Sequence, residues 1–180
     1  VNDDLGRMVT RTDPNGAVWQ WTYNSFSRVT KEIDPYGFTT DTAYASDGTH
    51  VQSVTRRAAP TGSTALLPVG HGDSTTSYTY TDASSLAYGA GPGVHPPLWL
   101  LATVTDELGQ VTEFRYDQGG DLRWSRTGNA TRGYMHTRFT YDSVGRKLLT
   151  ETSTDDATWT VTEDNEYDAA GRVIRTDGPL

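Results

Sequence analysis

Aromatic and polar side chains alternate along short segments of the chain. In residues 18–23, Trp19, Trp21 and Tyr23 fall on one side of an extended strand. The same side of two later segments holds Thr112, Phe114 and Tyr116, and then Phe139 and Tyr141. A period of two is typical of β-strands. Val18 and Val111 interrupt the opposite, polar side, so we predict strands with one aromatic face and a second face that is not purely solvated.

The strand pattern repeats along the chain. Asp13-Pro-Asn-Gly16 recurs 21 residues later as Asp34-Pro-Tyr-Gly37, and a second motif, Y-D-x-x-G-R, begins at Tyr141 and again at Tyr167. The repeated positions of the first part of the chain are Arg7, Asp13, Gly16, Tyr23, Arg28, Asp34, Gly37 and Tyr44. Those of the second part are Asp106, Gly109, Tyr116, Asp117, Tyr141, Asp142, Gly145, Arg146, Tyr167, Asp168, Gly171 and Arg172. Such self-similarity predicts a repeat protein.

Both repeated motifs contain D-x-x-G, which describes a tight turn. Aspartate at the first position accepts a bond from the backbone two residues on, and glycine at the fourth accepts the positive φ of a type I turn with a bulge. The intervening segments are strand-sized. Each unit therefore predicts strand, turn, strand, turn. We expect the tyrosines to pack across strands and the arginines to bond neighbouring turn carbonyls or aspartates.

The predicted fold is all-β: tandem antiparallel hairpins that form a curved or spiralling sheet strip. We divide it into repeats at 1–59, a Gly/Pro-rich decorated loop at 60–97 that flanks a strand near Thr75 to Thr81, and repeats at 98–180. A domain boundary in the loop is an alternative. We favour a single repeat region over 1–180, because the turn motifs are the same on both sides.

Composition narrows the partners. A net charge of −8 argues against nucleic acid and against an anionic membrane surface as binding partners. Binding of either polyanion to an acidic surface would bring no favourable free energy of counterion release. There is no cysteine and no apolar run of membrane-spanning length. The start at Val1 carries neither initiator methionine nor signal-peptide pattern, so we expect a piece of a longer chain without membrane insertion by this segment.

No residue pattern predicts catalysis, a cofactor or a metal. The four histidines lack zinc-ligand spacing, D-x-x-G lacks the alternating oxygens of an EF-hand, and phosphate-binding or nucleophile motifs are absent. Adjacent acids such as Asp155-Asp156 point to opposite faces of a strand, which favours a solvated charge pair over a paired-carboxylate site. The alternative to a structural role is a glycan or receptor platform formed by Trp19, Trp21 and Trp124, although their register favours packing.

The motifs Tyr141-Asp-Ser-Val-Gly-Arg146 and Tyr167-Asp-Ala-Ala-Gly-Arg172, together with the two D-P-x-G turns, resemble the RHS/YD repeat of bacterial polymorphic toxins, insecticidal toxin complexes and teneurins. The resemblance implies a secreted or cell-surface parent whose further repeats form a shell, in bacterial members around a C-terminal toxin polypeptide. The chain departs from the pattern at Asn24 and at Asp121, and it lacks a D-P-x-G-L motif, so neither processing site nor toxin is expected in it.

The expected number of strands limits what this chain encloses alone. Roughly a dozen strands at about 4.8 Å spacing form a strip about 60 Å wide. Closed on itself, the strip would have a radius of about 10 Å, below the radius of gyration of about 13 Å for a folded 100-residue cargo. We therefore predict an arc of a shell, non-catalytic, with open strand edges. The rival hypothesis is a carbohydrate- or receptor-binding module.

Overall fold

The computed structural model of the chain describes residues 1–57 and 72–178. This part of the chain contains thirteen β-strands and no helix. The strands are β1 (Thr10–Thr12), β2 (Val18–Tyr23), β3 (Val29–Ile33), β4 (Thr39–Tyr44), β5 (Val51–Arg56), β6 (Ser74–Tyr80), β7 (Leu101–Thr105), β8 (Val111–Tyr116), β9 (Leu122–Asn129), β10 (Gly133–Tyr141), β11 (Lys147–Ser153), β12 (Thr160–Tyr167) and β13 (Val173–Asp177).

Within each of the two compact units described below, neighbouring strands are hydrogen-bonded in chain order and pair antiparallel, as in the register Trp21 with Glu32 of β2 and β3. The predicted all-β array of antiparallel hairpins is confirmed. By compactness the chain divides into two units, Val1–Tyr78 and Thr79–Leu180. The first contains β1 to β5 and most of β6, and the second contains β7 to β13.

The Gly/Pro-rich segment is only partly within the described residues, since 58–71 fall outside them. The strand expected near Thr75 to Thr81 is β6. Residues 81–100 of the second unit form turns and irregular chain, and regular pairing resumes at Leu101.

The strand register shifts at five tyrosines, each of which is the last residue of its strand. The shift occurs at Tyr23, Tyr44, Tyr116, Tyr141 and Tyr167. At Tyr141, for example, Thr140 pairs with Leu149 but Tyr141 pairs with Lys147, so Leu148 is the additional residue of a β-bulge. A bulge increases local twist and redirects side chains beside it. The tyrosine is therefore the last residue of the strand ladder before the turn begins.

The described part of the chain has a very small apolar core. Its buried hydrophobic residues are Ala87 and Trp124, at 4 % and 3 % exposure, and no large side chain lies below 2 %. A sheet with this little buried apolar surface depends on cross-strand side-chain pairs and on the hydrogen bonds of its turns. The 34 % hydrophobic content of the sequence is in keeping with this construction.

Candidate functional site

The D-x-x-G turns share one backbone geometry. In the turn that begins at Asp142, the Asp142 N–H donates to the Arg146 carbonyl at 2.9 Å, and the Gly145 N–H donates to the Asp142 carbonyl at 3.1 Å. Gly145 has φ 83°, where a Cβ is disfavoured. Within residues 1–57 and 72–178, the same pair of bonds occurs in the turns that begin at Asp3, Asp13, Asn24, Asp34, Asp106, Asp117, Asp142 and Asp168.

The first side chain of the turn holds this geometry. Asp142 Oδ1 accepts hydrogen bonds from the Val144 and Arg146 N–H groups at 3.0 and 2.9 Å. The Arg146 backbone N–H is the main cause that lowers the pKa of Asp142, and the Arg146 side chain adds to it. Asp34 Oδ1 makes the equivalent bonds in the D-P-x-G turn. Both repeated motifs therefore use an aspartate as an internal acceptor for the turn backbone.

The arginine of the Y-D-x-x-G-R motif joins two successive repeats. Arg146 Nε donates to Asp142 Oδ2 at 2.5 Å, and its guanidinium lies 4.7 Å from the ring centroid of Tyr167, the tyrosine of the next motif. Arg7 likewise bonds Asp3 at 2.7 Å and lies 4.8 Å from the Tyr23 ring. A guanidinium in this position combines an ion pair with a cation–π contact.

Four of the motif tyrosines are also fixed by their hydroxyl groups. Tyr167 Oη, at the end of β12, donates to the carbonyl of Lys147 in the paired strand β11, at 2.7 Å. The corresponding bonds of the other repeats join Tyr23 to Met8, Tyr44 to Val29 and Tyr116 to Leu101, at 2.6, 2.9 and 2.9 Å. We call the aspartate and arginine of one turn, with the tyrosine of the following motif, the repeat clasp.

One clasp residue was missed by sequence reasoning. The motif position after Tyr116-Asp-Gln-Gly-Gly holds Asp121, and the sequence shows no arginine there. Arg123 takes over instead: its Nε bonds Asp117 Oδ2 at 2.6 Å, and its guanidinium lies 4.9 Å from the ring of Tyr141. Arg123 is the additional residue of the bulge opposite Tyr116. The available signal was an arginine two positions beyond the motif.

The other departure from the motif, at Asn24, has no such replacement. Asn24 Oδ1 still accepts bonds from the Phe26 and Arg28 N–H groups, so the turn keeps its form. The neutral amide offers no carboxylate to Arg28, which is exposed. Asn24 Nδ2 instead donates to the Gly48 carbonyl in the next turn along the same edge of the first unit, at 3.0 Å. Arg172, by contrast, bonds Asp168 at 2.7 Å.

The three tryptophans of the expected ligand platform lie in different settings. Trp19 and Trp21 are half-buried, and their rings are stacked, with an interplanar angle of 8° and centroids 6.3 Å apart. Trp21 Nε1 donates to Glu32. Trp124 is 3 % exposed because Arg115 and Arg126 lie over its ring at 4.7 and 5.8 Å. Trp124 therefore offers little ring surface to a ligand, because its ring is covered by charged side chains of its own face.

The face that holds Trp124 in the second unit carries paired charges and aromatic rings. Arg138 makes two bonds to Glu151, at 2.6 and 2.8 Å, and lies 4.3 Å from the Trp159 ring. The bond to Glu151 is the main cause that raises the pKa of Arg138. The polar side of the strands is therefore not a simple solvated surface. On it, arginine side chains lie over aromatic rings and bond glutamates of the neighbouring strand.

In the two described ranges, no three His, Asp or Glu side chains are grouped so that they could hold a metal ion. Over the same residues, no helix is long and apolar enough to cross a membrane. The repeated aspartates accept hydrogen bonds from turn backbones and from arginines, as Asp142 does.

These features define a β-hairpin repeat protein in which a clasp recurs between successive turns. The RHS Repeat family model matches residues 3–39, and the same turn and clasp recur in the rest of the described chain. The predicted resemblance to the RHS/YD-repeat family is confirmed.

Comparison with known proteins gives longer relatives. The chain is 26 % identical over 181 residues to the double-stranded DNA deaminase toxin A of Burkholderia cenocepacia (strain H111), covering 97 % of the chain and 11 % of the relative. Among solved structures it is similar to the TcdB2-TccC3-Cdc42 crystal structure, with 17 % identity, 99 % and 11 % coverage and a TM-score of 0.37. A Photorhabdus luminescens Tc holotoxin pore structure gives 18 % identity, the same coverages and a TM-score of 0.28. The chain thus spans about a tenth of each of these proteins.

Proposed function

We propose that this chain is a non-catalytic segment of the repeat shell of a larger secreted or surface toxin protein, in which the remaining repeats complete a cocoon around a C-terminal toxin polypeptide. The observation that carries the proposal is the repeat clasp. Arg146 bonds the aspartate of its own turn and stacks on Tyr167 of the next motif, so the two repeats are fixed to each other, as they are at Arg7 and Arg123. Such nearest-neighbour fixing is what a long, thin wall requires, because little apolar core is available.

The edge of the last strand supports the same assignment. Val173 and Ile174 of β13 are 54 % and 63 % exposed, and β13 pairs on one side with β12. An exposed edge with apolar side chains is a template for a further strand. In the proposed parent protein, the following repeat covers this edge.

Limited proteolysis of the full-length protein that contains this chain tests the proposal. The segment that follows the repeats is expected to resist protease under native conditions and to be degraded after unfolding. The double variant R146Q/Y167F should speed its degradation several-fold, whereas Tyr134→Phe, which keeps a ring beside Arg126, should not. Equal degradation of that segment in the native and unfolded states would exclude encapsulation.

A second function, glycan binding by the first unit, is favoured by the stacked pair Trp19 and Trp21. The accessible part of the two parallel indoles presents apolar surface of the kind that stacks on a pyranose ring. A glycan array probed with the 180-residue chain tests it. Binding that is lost in Trp19→Ala and kept in Trp159→Ala would support this function, and an empty array would remove it.

A further inference from the structure

The second unit contains a groove between the irregular segment 81–100 and the strands β7 and β8. Its volume is about 570 Å³, within the range of about 300–1,000 Å³ that is usual for ligand clefts. Leu86, Tyr88 and Pro96 line it from the irregular segment, and Thr103, Glu113 and Arg115 line it from the sheet. The hydrogen bond from the Tyr88 N–H to the Tyr116 carbonyl, at 2.8 Å, fixes the segment to the sheet.

The groove has an apolar side. Leu86 is 60 % exposed and Tyr88 is 38 % exposed, while Ala87 between them is 4 % exposed. Ala87 is held by the bond from its N–H to the Val94 carbonyl at 2.9 Å. The buried alanine thus anchors the segment, and its two neighbours present apolar surface to solvent. These exposed apolar groups beside the cleft offer contact area to apolar side chains of a ligand.

The sheet side of the groove carries an excess of positive charge. Arg115 Nε and Nη2 both lie 2.8 Å from Glu113 Oε1, and Arg126 Nε lies 2.9 Å from Glu113 Oε2. One carboxylate therefore serves two guanidinium groups, which leaves one positive charge over within this cluster. The net charge of the whole chain is −8, so the cluster is a local exception.

Arg115 is the arginine of this cluster that can reach a ligand. Its side chain is 51 % exposed and lines the groove, whereas Arg126 is inserted between the rings of Trp124 and Tyr134, at 5.8 and 4.6 Å. Arg115 is held over Trp124 at 4.7 Å and by Glu113 from one side. This leaves the guanidinium oriented before a ligand arrives, which lowers the entropic cost of a carboxylate contact.

We propose that this groove binds a short acidic peptide segment, with a glutamate or aspartate carboxylate on Arg115 and flanking apolar side chains against Leu86 and Tyr88. A carboxylate matches the excess charge, and apolar neighbours match the exposed side of the irregular segment. The apolar side distinguishes this occupant from a small free anion, which would use the guanidinium alone.

The test uses the 180-residue chain and two capped tripeptides, N-acetyl-Leu-Glu-Leu-amide and its Gln counterpart, titrated by NMR and followed at the Arg115 Nε resonance and at the backbone of residues 85–90. The Glu peptide is expected to shift both sets of resonances and to bind at least about tenfold more tightly than the Gln peptide. Sodium acetate at the same concentration should leave residues 85–90 unshifted.

Three variants give the assignment its controls. Arg115→Gln should abolish the preference for Glu over Gln while the fold persists, because Glu113 keeps Arg126 as its partner. Glu113→Gln should strengthen binding of the Glu peptide, because it removes the competing carboxylate. Arg175→Gln, which removes a similarly exposed arginine of β13 in the same unit, should change nothing. Equal binding of both peptides, a preference that survives in Arg115→Gln, or acetate shifts that match those of the peptide would each overturn the proposal.

Discussion

The guanidinium of Arg123 lies 4.9 Å from the ring centroid of Tyr141 and bonds Asp117 at 2.6 Å. It thereby occupies the place that Arg146 has beside Tyr167 in the next repeat. The two arginines reach this place from different positions in their motifs, because the bulge opposite Tyr116 turns Arg123 toward the turn. The clasp is therefore a property of the spatial arrangement, and one sequence position does not define it.

Replacement of Arg123 tests whether it performs the clasp's role. Arg123→Gln should lower the free energy of unfolding by about 1–3 kcal/mol, because a charge-assisted bond and a cation–π contact are both lost. Urea denaturation measures this. The double variant D121R/R123Q, which returns arginine to the motif position, should recover at least half of the loss. No recovery would mean that the bulge position itself is needed.

Removal of one tyrosine hydroxyl tests the other end of the clasp. Tyr167→Phe keeps the ring under Arg146 and deletes the bond to the Lys147 carbonyl, so we expect a loss of about 0.5–1.5 kcal/mol in unfolding free energy. Tyr134→Phe is the matched control, because its ring contact with Arg126 is kept and its hydroxyl makes no hydrogen bond in the described ranges. Equal losses in the two variants would contradict the role of the hydroxyl.

Acid should weaken the turns. The turn N–H groups lower the pKa of Asp142 and of Asp168 below the ordinary value of 3.8. A carboxyl whose pKa is lower in the folded state adds stability above its unfolded pKa and loses it as pH falls through the folded pKa. Stability should therefore be level from pH 7 to about pH 5 and fall below about pH 4.

Urea midpoints at pH 7, 5 and 3 measure this fall. In Asp142→Asn the fall should be smaller, since asparagine keeps the turn acceptor, as Asn24 does, without a titrating group. An undiminished fall in this variant would assign the acid sensitivity to other carboxyls.

The contact between Phe26 and Gly48 predicts that alanine lowers the free energy of unfolding more at Gly48 than at Gly16. A Cβ at Gly48 would lie 2.0 Å from Phe26 Cδ2, and φ there is 71°. At Gly16 φ is 84° but nothing lies within 4 Å. Gly16→Ala should cost about 1 kcal/mol from backbone strain alone, and Gly48→Ala about 1–3 kcal/mol more from the clash.

Thermal or urea unfolding of F26A/G48A against Phe26→Ala isolates the clash. In the Phe26→Ala background, Gly48→Ala should cost no more than Gly16→Ala does. A persisting excess cost would place its cause in the backbone of the turn.

Much of this protein could be predicted from local sequence. The D-x-x-G spacing specified the turns, because the side-chain acceptor and the positive-φ residue lie within five residues of each other, as Asp142 and Gly145 do. The alternation of Trp19, Trp21 and Tyr23 specified strands, since period two needs no distant partner. The order of the hairpins follows from the same information, because short turns force each strand beside the next.

Tertiary structure decided the contacts between side chains of different strands, which local spacing in the sequence does not specify. Arg123 replaces the missing motif arginine because a bulge redirects it, and the position of that bulge depends on pairing between β8 and β9. Trp124 is buried by Arg115 and Arg126, which come from its neighbour β8 and from its own strand. The surplus charge at Glu113 arises because the register sets it opposite Arg126. Sequence thus determined the repeat and its turns, whereas cross-strand register decided which side chains meet, because contacts between strands depend on pairing over distances that a local motif does not encode.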